Sequence, residues 1–86
     1  MRFQGRLWQA GRVVLEDAAG ALLGPPAAGR PHWWGELSVP PRRLLAAGTY
    51  RLELGDGRAG DVRLEGVASG PDAPALVTFT GCGRLS

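Results

Sequence analysis

Thr49-Tyr50-Arg51-Leu52-Glu53-Leu54, then Gly55-Asp56-Gly57, then Arg58-Ala59-Gly60-Asp61-Val62-Arg63-Leu64-Glu65 decides the fold of this 86-residue chain. Apolar and charged residues alternate on both sides of a glycine-bracketed turn. Side chains of a strand point to opposite faces by turns, so this is a β-hairpin with one buried and one wet face. A two-residue Asp56-Gly57 turn sets Leu52 against Asp61 and mixes the two faces. A three-residue Gly55-Asp56-Gly57 loop sets Tyr50 against Val62 and Arg51 against Asp61, which keeps the faces separate and pairs opposite charges.

The same alternation recurs outward from the hairpin. Arg2 to Trp8 reads as a strand with Phe3, Gly5 and Leu7 on one face, and Arg12 to Glu16 as a strand with Val13 and Leu15 on one face. A Gln9-Ala10-Gly11 loop between them sets Leu7 opposite Val13, Gly5 opposite Leu15 and Trp8 beside Arg12, a cation–π arrangement. Trp33 to Val39 is the third strand, with Trp33, Gly35, Leu37 and Val39 inward and Trp34, Glu36 and Ser38 outward. Pro40-Pro41 ends it, because proline cannot donate to a ladder. Arg42 to Ala47 has room for one helical turn closed by Gly48. Ala75 to Gly81 is the sixth strand, with Val77 and Phe79 on one face and Leu85 as an extension. Residues 17–32 and 69–74, rich in Gly and Pro, read as loops.

Six short strands and no long helix predict an all-β fold, a small six-stranded antiparallel barrel or strongly curved sheet, in one domain spanning 1–86. Closure would remove the exposed strand edges that make open sheets sticky. The expected core is Phe3, Leu7, Val13, Leu15, Trp33, Leu37, Val39, Tyr50, Leu52, Leu54, Val62, Leu64, Val77 and Phe79. A chain this short buries only about 60% of the surface its unfolded form exposes, so that core is thin.

Composition excludes several functions. No apolar run approaches the ~20 residues of a membrane helix, so no membrane partner is expected. Met1-Arg2 leads into no apolar signal segment. The lone cysteine, Cys82, excludes an internal disulfide. These features point to a cytoplasmic bacterial protein. All ten basic residues are arginine, and Lys, Asn and Ile are absent, as in a chain from a GC-rich genome. The net charge of +2 is therefore weak evidence for a phosphate-binding role, and the arginines of the hairpin are interleaved with carboxylates rather than clustered.

Chemistry-bearing motifs are few. Gly55-Asp56-Gly57-Arg58-Ala59-Gly60 has the G-x-G-x-x-G spacing, but a dinucleotide site needs it to open a helix, and the residues that follow alternate as a strand. It is better explained as a turn followed by a small residue, Gly60, facing a bulky core. His32 and Cys82 are the only histidine and cysteine. A nucleophilic pair would need them in contact with a third group orienting the imidazole, and a metal would need more N or S ligands than the chain owns. No catalytic residue, metal or cofactor is expected.

The aromatic and arginine residues are the functional lead. Trp8 and Trp34 fall on the outer face, and Arg12, Arg30, Arg42 and Arg43 lie near them in sequence. Small barrels bind strands and peptides through exposed aromatics flanked by basic groups. The competing and favoured expectation is that the 17–32 loop folds back and Leu22 and Leu23 cover both indoles as a second small core, since long loops in compact domains are either packed or functional. The first function expected is a non-catalytic binding module contacting an unknown protein partner or a second copy of itself. The alternative is a single-stranded nucleic-acid-binding barrel using Trp34 with Arg30, Arg42 and Arg43.

Gly48 to Gly60, and Val77-Thr78-Phe79-Thr80-Gly81-Cys82-Gly83, resemble stretches of small, single-domain, uncharacterised bacterial β-proteins. That resemblance implies an all-β fold and no activity. The strand count is also similar to that of the PilZ type of six-stranded barrel, which binds a cyclic dinucleotide through R-x-x-x-R followed by D/N-x-S-x-x-G. This chain does not present the two motifs in that succession, so the ligand is not carried over.

Overall fold

The structure, a computed structural model, describes residues 1–24 and 32–86. Its strands are β1 (Arg2–Gln9), β2 (Arg12–Gly24), β3 (Trp34–Val39), β4 (Leu44–Leu45), β5 (Gly48–Leu54), β6 (Ala59–Leu64), β7 (Val67–Ala68) and β8 (Ala75–Cys82). Six of them close an antiparallel barrel in the order β1-β2-β3-β8-β6-β5, and β4 and β7 form a separate two-stranded sheet. No helix among the described residues is long and apolar enough to cross a membrane.

The β5–β6 hairpin has the register expected from its pattern: Tyr50 faces Val62, and Arg51 faces Asp61. Gly57 takes a positive φ of 96°, and the Leu54 amide donates to Arg58 O at 2.7 Å, closing the three-residue loop. The G-x-G-x-x-G spacing therefore turns a corner and continues as strand. On β3, Gly35, Leu37 and Val39 point inward as expected, and Trp33 just before it is buried.

Sequence and structure part at the first hairpin. Its loop is the two residues Ala10-Gly11, with φ of 52° and 77°. Two successive positive φ values match the twist of paired strands. Leu7 consequently faces Leu15 rather than Val13, Trp8 faces Val13 rather than Arg12, and Gly5 faces Ala18 rather than Leu15, with irregularities on either side of Leu7. These bulges shift which side of β2 reaches the interior. Val13 is only half-buried, and Val14 packs against the core instead.

The second difference is the length of β2. Residues 17–24 continue the strand, whereas 25–31, including the candidate Arg30, lie outside the described residues. Ala and Gly have low strand propensity, but here small size is what the barrel needs. A Cβ on Gly20 would run into the Glu36 carbonyl and the Phe3 ring. Ala18 and Leu22 join the core, as does Leu45. Leu45 belongs to β4, which replaces the helical turn expected over 42–47.

Aromatics fill the centre. Trp33, Phe79 and Phe3 form a chain of edge-to-face contacts with centroid separations of 6.0 and 6.1 Å, the geometry favoured by ring quadrupoles. The buried Trp33 Nε1 donates to Gly83 O at 2.8 Å, so the indole leaves no polar atom unpaired.

Candidate functional site

Trp34 follows the buried Trp33, so strand alternation turns it outward. On β2 an extra residue, Leu23, interrupts the ladder between Leu22 and Gly24, and Gly24 pairs directly with Trp34. Bulges of this kind re-aim side chains. The six-membered ring of Trp34 occupies the space that a Cβ on Gly24 would fill. The indole is thus seated against backbone on one side, while 48% of the residue stays exposed; Leu23 is 53% exposed. The expected cover does not form: Leu22 points into the barrel core, and Leu23 stands outside it.

The ladder beyond Trp34 defines its neighbours. Trp34 faces Thr80 on β8, and Thr80 faces Arg63 on β6. These three outward residues form one row across three strands. Beside the row lies a hollow of ≈ 710 Å³ lined by Arg63, Glu65, Thr78, Thr80 and the Ala47-Gly48 segment. Arg63 takes part in no ion pair among the described residues.

The other candidate residues do not converge on Trp34. Trp8 is half-buried between Val13 of β2 and Arg51 of β5. The β2 positions facing Trp8 and Trp34 are Val13 and Gly24, roughly 35 Å apart along the strand at 3.3 Å per residue. Arg12 is exposed at the first hairpin, facing Gln9. Arg42 and Arg43 are exposed beyond Val39, at the other end of β3 from Trp34. Their backbone is tied to the opposite loop: Arg42 N donates to Gly70 O, and Arg43 N to Ser69 Oγ. Two arginines assigned to the Trp34 surface therefore belong to a separate turn.

Arg63, Thr78 and Thr80 escaped the sequence reading. Their alternation marked them as outward, but only the β3–β8–β6 register shows which outward residues sit beside which. A hollow of ≈ 770 Å³ over β1, β2 and β3 also went unseen; Arg2, Gln4, Ala19, Ala21, Ser38 and Leu76 are among its walls. It exists because β2 carries alanines where its neighbours carry larger side chains.

His32 and Cys82 come closer than their sequence separation suggests. Gly81 N donates to Trp33 O at 2.7 Å, so the β3–β8 ladder runs one residue past β3, to Trp33 and Gly81, the chain neighbours of His32 and Cys82. Both are exposed. No hydrogen bond joins them, and the polar neighbour of Cys82 Sγ is Thr80 O at 3.9 Å. No group of three or more His, Cys, Asp or Glu able to hold a metal occurs among the described residues. No family model, curated protein or solved structure matches the chain.

Proposed function

We propose that this protein is a non-catalytic binding module whose contact surface is the outer face of β3–β8–β6, centred on Trp34. The observation that carries this is the seating of Trp34: its ring is fixed against Gly24 and still 48% exposed. A large aromatic held in one pose loses little conformational freedom on binding, and such residues dominate contact energetics. The arginine-only basic set and lone cysteine add the expectation of a bacterial protein working in the cytoplasm.

Single-stranded nucleic acid is the second reading. One observation favours it: Arg63 shares a row with Trp34, so bases could stack on the indole while a phosphate pairs with the guanidinium. It no longer draws on Arg42 and Arg43.

The test is calorimetric titration of the protein, Trp34→Ala and Trp8→Ala with oligosaccharides, peptides and oligothymidylate, together with sedimentation over a range of protein concentration for self-association. Binding in any class that Trp34→Ala abolishes and Trp8→Ala leaves intact supports the proposal. Binding that depends on Trp8 and not on Trp34, or no Trp34-dependent event at all, overturns it.

A further inference from the structure

We infer that the Trp34 face takes a neutral oligosaccharide, stacked on the indole and hydrogen-bonded by Arg63, Thr78, Thr80 and Glu65. The inference rests on Trp34 being the contact residue, as proposed above.

Three features of the face select this ligand class. The first is the exposed indole. Its negative π-face attracts polarised C–H groups as it attracts the positive edge of another ring, and a sugar ring presents such groups on its apolar side. The second is the inventory of the adjoining hollow. Arg63 only donates hydrogen bonds, Glu65 only accepts them, and the Thr78 and Thr80 hydroxyls do both. A sugar hydroxyl also does both, so a polyol can use every group there, whereas a phosphate chain can use only donors.

The third feature is charge. Among the described residues of β3, β8 and β6, the outward charges outside any ion pair are the Arg63 guanidinium and the carboxylates of Glu36 on β3 and Glu65 just past β6. Asp61, on the same strand as Arg63, has its own partner in Arg51 at 3.7 Å. The outward charges on these strands are therefore mixed in sign rather than a cluster of guanidinium groups. A polyanion finds no basic cluster on these strands, and a neutral ligand needs none. The indole sits over β2 and Arg63 is on β6, three strand spacings or roughly 14 Å away. A ligand spanning that length has several rings rather than one.

The experiment is isothermal titration of the full-length protein with cellotetraose, maltotetraose and chitotetraose, with oligothymidylate and an extended apolar peptide as counter-probes. The expected result is saturable binding of at least one neutral tetrasaccharide. Arg63→Ala, exposed and outside any ion pair, should weaken it about tenfold, the loss of one good hydrogen-bonding group. Trp34→Ala should abolish it, Trp34→Phe, which still shields Gly24, should retain part of it, and added salt should leave it unchanged. Failure of all three sugars, or sugar binding indifferent to Trp34 and Arg63, overturns the inference. Trp34-dependent binding of the peptide alone, or of oligothymidylate with affinity falling as salt rises, also overturns it while leaving Trp34 as the contact residue. If no probe of any class needs Trp34, the proposed function falls with it.

Discussion

The Trp33 indole fills the space in which a Cβ on Gly81 would stand. Gly81 lies opposite Trp33 in the extended β3–β8 ladder, its amide donating to Trp33 O. The barrel closes around its largest core side chain only because this position has no side chain. Gly81→Ala would force the ring against Phe79, whose centroid is already 6.0 Å away. We expect a loss of about 3 kcal/mol, the upper range for overpacking a filled core, read as a shift in the urea midpoint at unchanged slope. Gly60→Ala should cost less. Its Cβ would meet Arg84 O at 2.8 Å and Trp33 Cζ2 at 2.9 Å, longer contacts than those a Cβ on Gly81 would make with the Trp33 ring.

Ala10 occupies the left-handed region at φ 52° in the first hairpin. An L-residue with a Cβ is held there at a cost of about 1 kcal/mol. Ala10→Asn creates the Asn-Gly pair preferred in such turns. The variant should be more stable by about 1 kcal/mol, a rise in Tm of roughly 4–8 °C for a domain this size. An unchanged or lower Tm would show that the hairpin is not formed by these two residues.

Ser69 ties two loops together. Its Oγ accepts from the Arg43 amide at 2.8 Å and donates to Pro40 O, while its own amide donates to Arg43 O at 2.9 Å. Ser69→Ala leaves the backbone bond and removes both side-chain bonds, at an expected cost of about 1–2 kcal/mol. Hydrogen exchange should localise the effect: the Arg43 amide loses protection, and the Leu54 amide in the distant hairpin does not.

Asp56 links stability to pH at the β5–β6 turn. Its Oδ1 accepts from the Arg58 amide at 3.0 Å and its Oδ2 from Arg58 Nε at 2.9 Å. The hydrogen bond from the Arg58 amide, chiefly, holds the carboxyl below its ordinary range against the opposing effect of desolvation, and the Arg58 side chain adds to the lowering. Because the folded carboxyl is the stronger acid, its contribution is fully present above the ordinary Asp value and is lost as pH falls through the lowered one. An NMR titration of the Asp56 carboxyl should give a midpoint below that of an Asp in an unstructured peptide. A midpoint at or above that value would show that the Asx turn does not persist in solution.

How much was legible varies from strand to strand for identifiable reasons. In 49–65 large apolar residues alternate with charges, so a one-residue slip would bury Arg51 and Asp61. The pattern tolerates one register, and the structure has it. In 17–24 the contrast is between alanine and glycine, and Ala18, Gly20 and Leu22 reveal their inward alternation only once Phe3 and Leu37 are known to lie across from them. Ala10 hid a two-residue turn because alanine is a poor residue for it, and the bulges at Leu7 left no mark in the pattern.

The candidate site divides along the same line. The outward facing of Trp34 follows from strand alternation. Its separation from Trp8, Arg42 and Arg43, and its alignment with Thr80 and Arg63, do not.

The amino-acid order alone settled which side chains face the interior and which face water across most strands, because burial follows a local period of two residues. The tertiary structure decided which outward residues are neighbours. That depends on bulges, on the extent of β2 and on the stagger with which six strands close, and each arises from steric fit between chain segments far apart in the sequence.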